Sequence, residues 1–154
     1  MRLVFLDFDG VLNSRALVER APSPLAIGPG LLDADAVMRV ERFCVAAGAE
    51  IVVTSTWRLT FDRAALEDML RAKGLITARV RGVTPMIPHK RGRGQEIQSW
   101  LDAQSSAHLE GIVIFDDDPD MLHLMPWLVQ TSFETGLTAA HLDDALTILR
   151  RPPP

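Results

Sequence analysis

Leu3-Val4-Phe5-Leu6-Asp7-Phe8-Asp9-Gly10-Val11-Leu12-Asn13 is the stretch that decides the fold. Four apolar residues in succession run into two carboxylates two residues apart, and Gly10 then permits a sharp change of direction. A continuous apolar run of this length suits a strand of a parallel sheet covered on both faces. In open α/β sheets ligands bind beyond the carboxyl ends of the strands. Asp7, first past the buried strand, and Asp9, one step later, therefore stand at the functional edge. Taken alone, the pattern also fits a strand followed by an Asx turn.

Working outward, Ile51–Val53, Ile112–Phe115 and Leu128–Val129 are further short apolar runs. Between them lie segments of helical period. Ala34–Ala47 carries Val37, Val40, Cys44 and Ala47 on one face, with Asp33 or Asp35 as cap and Gly48 as stop. Asp62–Lys73 repeats the plan with Leu66, Met69 and Leu70. Gly94–Gln104 aligns Ile97, Trp100 and Leu101, and Thr138–Leu149 aligns Leu142, Ala145, Leu146 and Leu149. Strands alternating with helices predict βαβ units in a three-layer, doubly wound, mainly parallel α/β (Rossmann-like) domain. Segment 20–30 reads as a Pro/Gly-rich loop, segment 75–92 as an irregular basic stretch, and Arg150–Pro154 as a frayed tail.

Composition sets bounds on this picture. The chain has 154 residues, 47% of them hydrophobic, enough for the core of one domain spanning 1–150 and too many for a disordered chain. A net charge of −4, from 16 basic and 20 acidic residues, argues against a general nucleic-acid coat protein. The single cysteine, Cys44, excludes an intramolecular disulfide framework. The N-terminal apolar run is broken by Asp7 and Asp9, and no stretch approaches the roughly 20 apolar residues of a membrane span. A soluble, cytoplasmic protein with no membrane partner is expected.

The second acidic group sharpens the reading of the first. Ile112–Phe115 leads directly into Asp116-Asp117-Asp118-Pro119-Asp120, so two parallel strands would bring carboxylates to one edge. Such clustering costs energy unless a cation neutralises it. Oxygen ligands select a hard ion, Mg²⁺ where phosphate is also present. Asp118 and Asp120 are instead expected in a solvated loop, with one or the other capping the next helix. The run Val53-Thr54-Ser55 puts hydroxyls at a third strand end, where one can donate to a phosphate oxygen. Lys90 and Arg93 precede the helix at Gly94, and a cation beside a helix N-terminus favours an anion. Segment 79–93 also gathers Arg79, Arg81 and Arg91 without an acidic residue, a charge that would attract a polyanion. Its lack of aromatic residues speaks against single-strand binding. His108, His123 and His141 read as structural or surface residues.

The order Asp-x-Asp, then Ser/Thr, then Lys/Arg, then Asp-Asp resembles the haloacid dehalogenase (HAD) superfamily of phosphohydrolases over nearly the whole chain. Thr56-Trp57-Arg58, Arg93-Gly94-x-Glu96-Ile97-x-x-Trp100-Leu101 and Phe115-Asp116-Asp117 look like the small HAD domains of "Swiss Army Knife" RNA-repair proteins. The resemblance implies a Mg²⁺-dependent phosphatase in which Asp7 is the nucleophile and Asp9 the acid and base. Ser55, with Thr54 as competitor, and Arg93, with Lys90 as alternative, would hold the phosphoryl group. Asp7, the Asp9 backbone carbonyl and Asp117 would bind Mg²⁺, with Asp116 orienting the site or binding through water. The intervals between the motifs leave no room for a large cap domain, so a capless or minimally capped enzyme is expected. Its substrate would be an RNA or DNA terminal phosphate, a nucleotide or another small phosphoester. A non-catalytic phosphate-binding or regulatory module on the same fold is the competing expectation. A receiver-type phosphoacceptor is a third, disfavoured because its acceptor Asp would normally stand on a later strand.

Overall fold

Chain topology puts the first strand at the centre of the molecule. The computed structural model describes residues 1–21, 27–87, 92–104 and 108–154. Its strands are β1 (Arg2–Leu6), β2 (Ala49–Val53), β3 (Val80–Val83), β4 (Gly111–Asp116) and β5 (Leu128–Gln130). They form one all-parallel sheet in the order β3-β2-β1-β4-β5. The helices are α1 (Arg15–Glu19), α2 (Ala34–Ala47), α3 (Arg63–Arg71), α4 (Arg93–Asp102) and α5 (Ala139–Ile148). This is the expected α/β Rossmann-like fold. Among the described residues no helix is long and apolar enough to cross a membrane.

Side-chain alternation along the strands builds two cores. Val4, Leu6, Ile51, Val53, Val113 and Phe115 face the layer of α2, α3 and α5. Leu3, Phe5, Val52, Ile112 and Ile114 face α4 and the 3-10 turn Leu122–Trp127. Both sheet faces are therefore dry, which is why the strands read as unbroken apolar runs. Helix α2 starts at Asp33, whose side chain accepts from the Asp35 amide, and stops at Gly48 in the left-handed region (φ 62°). Asp62 caps α3 through the Ala65 amide.

Three expectations need correction. The sheet has five strands, because Val80–Val83 pairs with β2 inside the segment read as irregular. Its sequence, Val-Arg-Gly-Val, alternates as an edge strand does, with Val80 buried and Arg81 exposed, and gives no apolar run. Helix α1 stands just before the segment read as loop, in a stretch to which the sequence assigned no helix. Neither Asp118 nor Asp120 caps the following helix. Asp118 instead accepts from the Asp120 amide in a local turn, and the 3-10 segment begins at Met121 without a side-chain cap. In the C-terminal tail, the Trp127 Nε1–H donates to the Pro152 carbonyl (3.2 Å).

Candidate active site

The register of the sheet assembles the site. Leu6 pairs with Val53 on one side and Phe115 on the other. The ladder continues one step further, with the Asp7 amide on the Phe115 carbonyl (3.0 Å) and the Thr54 amide on the Leu6 carbonyl (2.9 Å). Asp7, Thr54 and Asp116 thus stand level at the carboxyl edge. Alternation turns them toward the layer of α4, and α4 begins with Arg93.

Arg93 ties this row together. Its Nη1 donates to Asp7 Oδ1 (2.9 Å) and to the Thr54 carbonyl (2.7 Å). Its Nε lies 3.3 Å from Asp116 Oδ2 without hydrogen-bond geometry, so that oxygen, fully buried, has no hydrogen-bond partner among the described residues. The Gly94 amide is occupied by the Asp120 carbonyl (3.1 Å) and the Gln95 amide by the Gly92 carbonyl (3.2 Å). Any anion grip at this helix start therefore falls on the guanidinium more than on those first-turn amides. Lys90, the other cation named from the sequence, lies outside the described residues, as do His89 and Arg91.

Asp7, Asp116 and Asp117 each offer a carboxylate oxygen, and these lie within 4.8 Å of one another. Gly10 makes that approach possible. It has φ 74°, and a Cβ there would stand 2.3 Å from Asp117 Oδ2. Burial raises the Asp7 carboxyl above its ordinary range, with Arg93 opposing. Burial, then the charge of Asp7, pushes Asp116 up to about 7. Burial also raises Asp117. Three crowded oxygen donors, each resisting ionisation and one without a hydrogen-bond partner among the described residues, are what a hard divalent cation would satisfy. The donor set fits Mg²⁺.

Asp9 is placed apart from this group. Its Oδ1 accepts from Asn13 Nδ2 (2.8 Å) and its Oδ2 from Trp57 Nε1 (3.1 Å). Asn13 Oδ1 in turn accepts from the Gly10 amide (2.9 Å), and Thr131 Oγ1 donates to the Gly10 carbonyl (2.7 Å). The turn after β1 is thereby fixed from both sides. Thr54 and Ser55 are both fully buried. The Ser55 hydroxyl accepts from the Trp57 amide (3.4 Å), while the Thr54 hydroxyl has no partner among the described residues.

Arg58 and Glu96 carry a part that the sequence did not disclose. The Arg58 guanidinium is buried and donates to the carbonyls of Thr54, Ser55 (2.8 Å) and Thr84 (2.9 Å). Glu96 of α4 meets it at 2.5 Å. This pair braces the strand end bearing the hydroxyls against the helix bearing Arg93. In the sequence Arg58 is one residue of the Thr56-Trp57-Arg58 motif; only the turn geometry shows it pointing into backbone carbonyls. Arg79 and Arg81, gathered in sequence with Arg93, are engaged elsewhere, with Glu67 (3.8 Å) and Glu50 (2.7 Å). Glu50 sits toward the amino end of β2, away from the row of Asp7.

Over residues 3–142 the chain matches the family model for the HAD domain in Swiss Army Knife RNA repair proteins. The chain belongs to this family. No curated protein and no solved structure matches it. Membership of the HAD family suggests phosphohydrolase activity, and a buried acidic cluster able to hold a metal ion stands at the edge where this fold places its ligands.

Proposed function

We propose that the protein is a Mg²⁺-dependent phosphomonoesterase that works through an aspartyl phosphate on Asp7. The observation that carries the reading is Asp7 itself: a buried carboxylate in the same row as Asp116, bonded to Arg93 and grouped with Asp116 and Asp117. Asp7, Asp116, Asp117 and the Asp9 carbonyl would hold the ion. When bound, Mg²⁺ would offset the repulsion between these carboxylates and a dianionic phosphate.

In this reading an Asp7 carboxylate oxygen attacks phosphorus as the ester P–O bond breaks. Asp9, in its acid form, gives a proton to the departing alkoxide. It then takes a proton from water, whose oxygen attacks phosphorus, and the bond to Asp7 breaks to release inorganic phosphate. The hydrogen bonds from Asn13 and Trp57 hold Asp9 in place for both transfers. Arg93 neutralises charge on the equatorial oxygens. Ser55 would donate its hydroxyl hydrogen to one of them, with the Thr54 hydroxyl as competitor; Ser55→Ala and Thr54→Val, compared for KM, separate the two.

The family description joins this domain type to RNA repair proteins, which favours a substrate carrying a nucleotide. With Arg79 and Arg81 paired to acids away from the site, a nucleotide-sized phosphoester is supported over a long polyanion. Hydrolysis of p-nitrophenyl phosphate with and without Mg²⁺ tests the reading, together with trapping of the phosphoenzyme. Asp7→Asn should lower kcat by on the order of 10³-fold or more and abolish the trapped species. Near-normal turnover by Asp7→Asn would remove it from the role of nucleophile. No turnover and no phosphoenzyme with the unaltered chain would leave a non-catalytic phosphate-binding module.

A further inference from the structure

Beside Asp9 lies a cavity of about 250 Å³ that the phosphoryl chemistry above does not use. Its apolar walls are Val18 of α1, Ile27 and Leu31 before α2, Trp57 after β2 and Phe133 after β5, with Asn13 and Thr56 as polar neighbours of Asp9. Trp57 and Leu31 are buried, whereas Ile27 (50% exposed) and Phe133 (37%) are large apolar side chains left facing solvent. Asp9 is the one ionisable side chain among the described residues that line it. The Trp57 indole donates to Asp9 Oδ2 and packs edge-on against Phe8, with ring centroids 5.3 Å apart. A second cavity differs in charge: beside Leu59 and Met86 it is lined by Arg58, Arg93, Glu96, Asp118 and Asp120.

The geometry points to the cavity beside Asp9 as the leaving-group site, selecting phosphomonoesters whose alcohol carries one planar apolar ring and no second phosphate. The inference rests on Asp9 acting as the acid for the leaving group. A phosphoryl group held at Asp7 and protonated on its ester oxygen from Asp9 must direct its alcohol past Asp9, and this cavity opens there. Drug-sized ligands occupy pockets of roughly 300–1,000 Å³, so the volume suits one ring system and not a chain of nucleotides. Aromatic and aliphatic walls reward a flat apolar group. A second phosphate would lie beside Asp9, which turns anionic as it gives up its proton, with no cation among the described walls to offset the repulsion that then develops. Solvent-facing Ile27 and Phe133 then have a use, as the two sides of the mouth.

Paired substrates of similar leaving-group acidity test this. In Mg²⁺, 2-phenylethyl phosphate should exceed ethyl phosphate in kcat/KM by about tenfold or more. A nucleoside 5′-monophosphate should be preferred to the matching 3′,5′-bisphosphate. Phe133→Ala and Ile27→Ala, both at partly exposed positions, should each shrink the phenylethyl-to-ethyl ratio severalfold. Independently of turnover, 2-phenylethylphosphonate should shift the Trp57 indole N–H resonance and ethylphosphonate should not. A nucleoside ester outrunning the phenylethyl ester assigns the ring to a base, and the reverse order assigns it to a simpler aryl group. Equal rates for phenylethyl and ethyl esters with an unmoved Trp57 resonance overturn the leaving-group site and leave the phosphatase standing. No hydrolysis of any ester overturns both.

Discussion

Asp116 has no exposed surface, yet among the described residues one of its oxygens accepts only the Asp118 amide and the other accepts nothing. Its pKa is pushed up to about 7, first by burial and then by Asp7. In the metal-free protein this charge is a liability, so Asp116→Asn should stabilise it at pH 7.5, by roughly 1–2 kcal/mol. The same change should abolish the stabilisation given by Mg²⁺. Thermal unfolding with EDTA and with Mg²⁺ reads both effects, and a destabilised variant that still responds to Mg²⁺ would contradict them. Residues of this kind were legible from the sequence because they directly follow buried apolar runs. Arg58 was legible as a cation but not as a brace, because spacing does not tell which way a side chain leaves a turn. Asn13 and Trp57 stood inside the quoted motifs, and only the fold shows both hydrogen-bonded to Asp9.

Helix α4 joins the site to the second core. Gly94 is buried at its start, and a Cβ there would stand 2.3 Å from the Met121 carbonyl oxygen. Backbone cannot yield as a flexible side chain does. Gly94→Ala should therefore move the start of α4, displace Arg93 from Asp7, lower kcat at least about tenfold and cost on the order of 1–3 kcal/mol. Steady-state kinetics and chemical denaturation check this; unchanged values for both would mean that α4 is free to shift. Arg58→Ala is a harsher test of the same coupling. It strands Glu96 and three carbonyls, and breaking such a buried pair costs about 3–5 kcal/mol. Glu96→Gln keeps a hydrogen-bond acceptor for Arg58 and should cost less. At this scale the sequence disclosed helices with long apolar faces well. It did not disclose β3, whose Arg81 and Gly82 break the apolar signal at a sheet edge, or α1, whose five residues bury no side chain fully.

For the whole molecule, three carboxylates titrate in one direction. Asp7, Asp116 and Asp117 all have raised pKa values, so the folded protein holds protons that the unfolded chain has released. Their contribution to stability is complete below about pH 4 and is lost as pH rises through about 7, the value for Asp116. A cation held by the ionised cluster works the other way. The rise in Tm produced by Mg²⁺ should therefore grow between pH 5 and pH 8, as metal-free stability falls. Calorimetry across that range decides it; a shift in Tm independent of pH would place the ion elsewhere.

The level row of Asp7, Thr54 and Asp116 also divides the chain into parts that can and cannot change in length. Because side chains alternate, one residue added to or deleted from β1, β2 or β4 would turn the terminal group of that strand into the opposite layer and empty its place in the row. The segments beyond these anchors carry no such parity: residues 14–32 after Asn13, and 132–138 after Thr131. Ile27, Leu31 and Phe133 sit on them. Insertions and deletions there leave the carboxylate row intact while they reshape the walls that meet the substrate. Counted in residues, the reacting groups are length-locked and the selecting groups are not, so substrate range can drift by changes in loop length while the chemistry stays fixed.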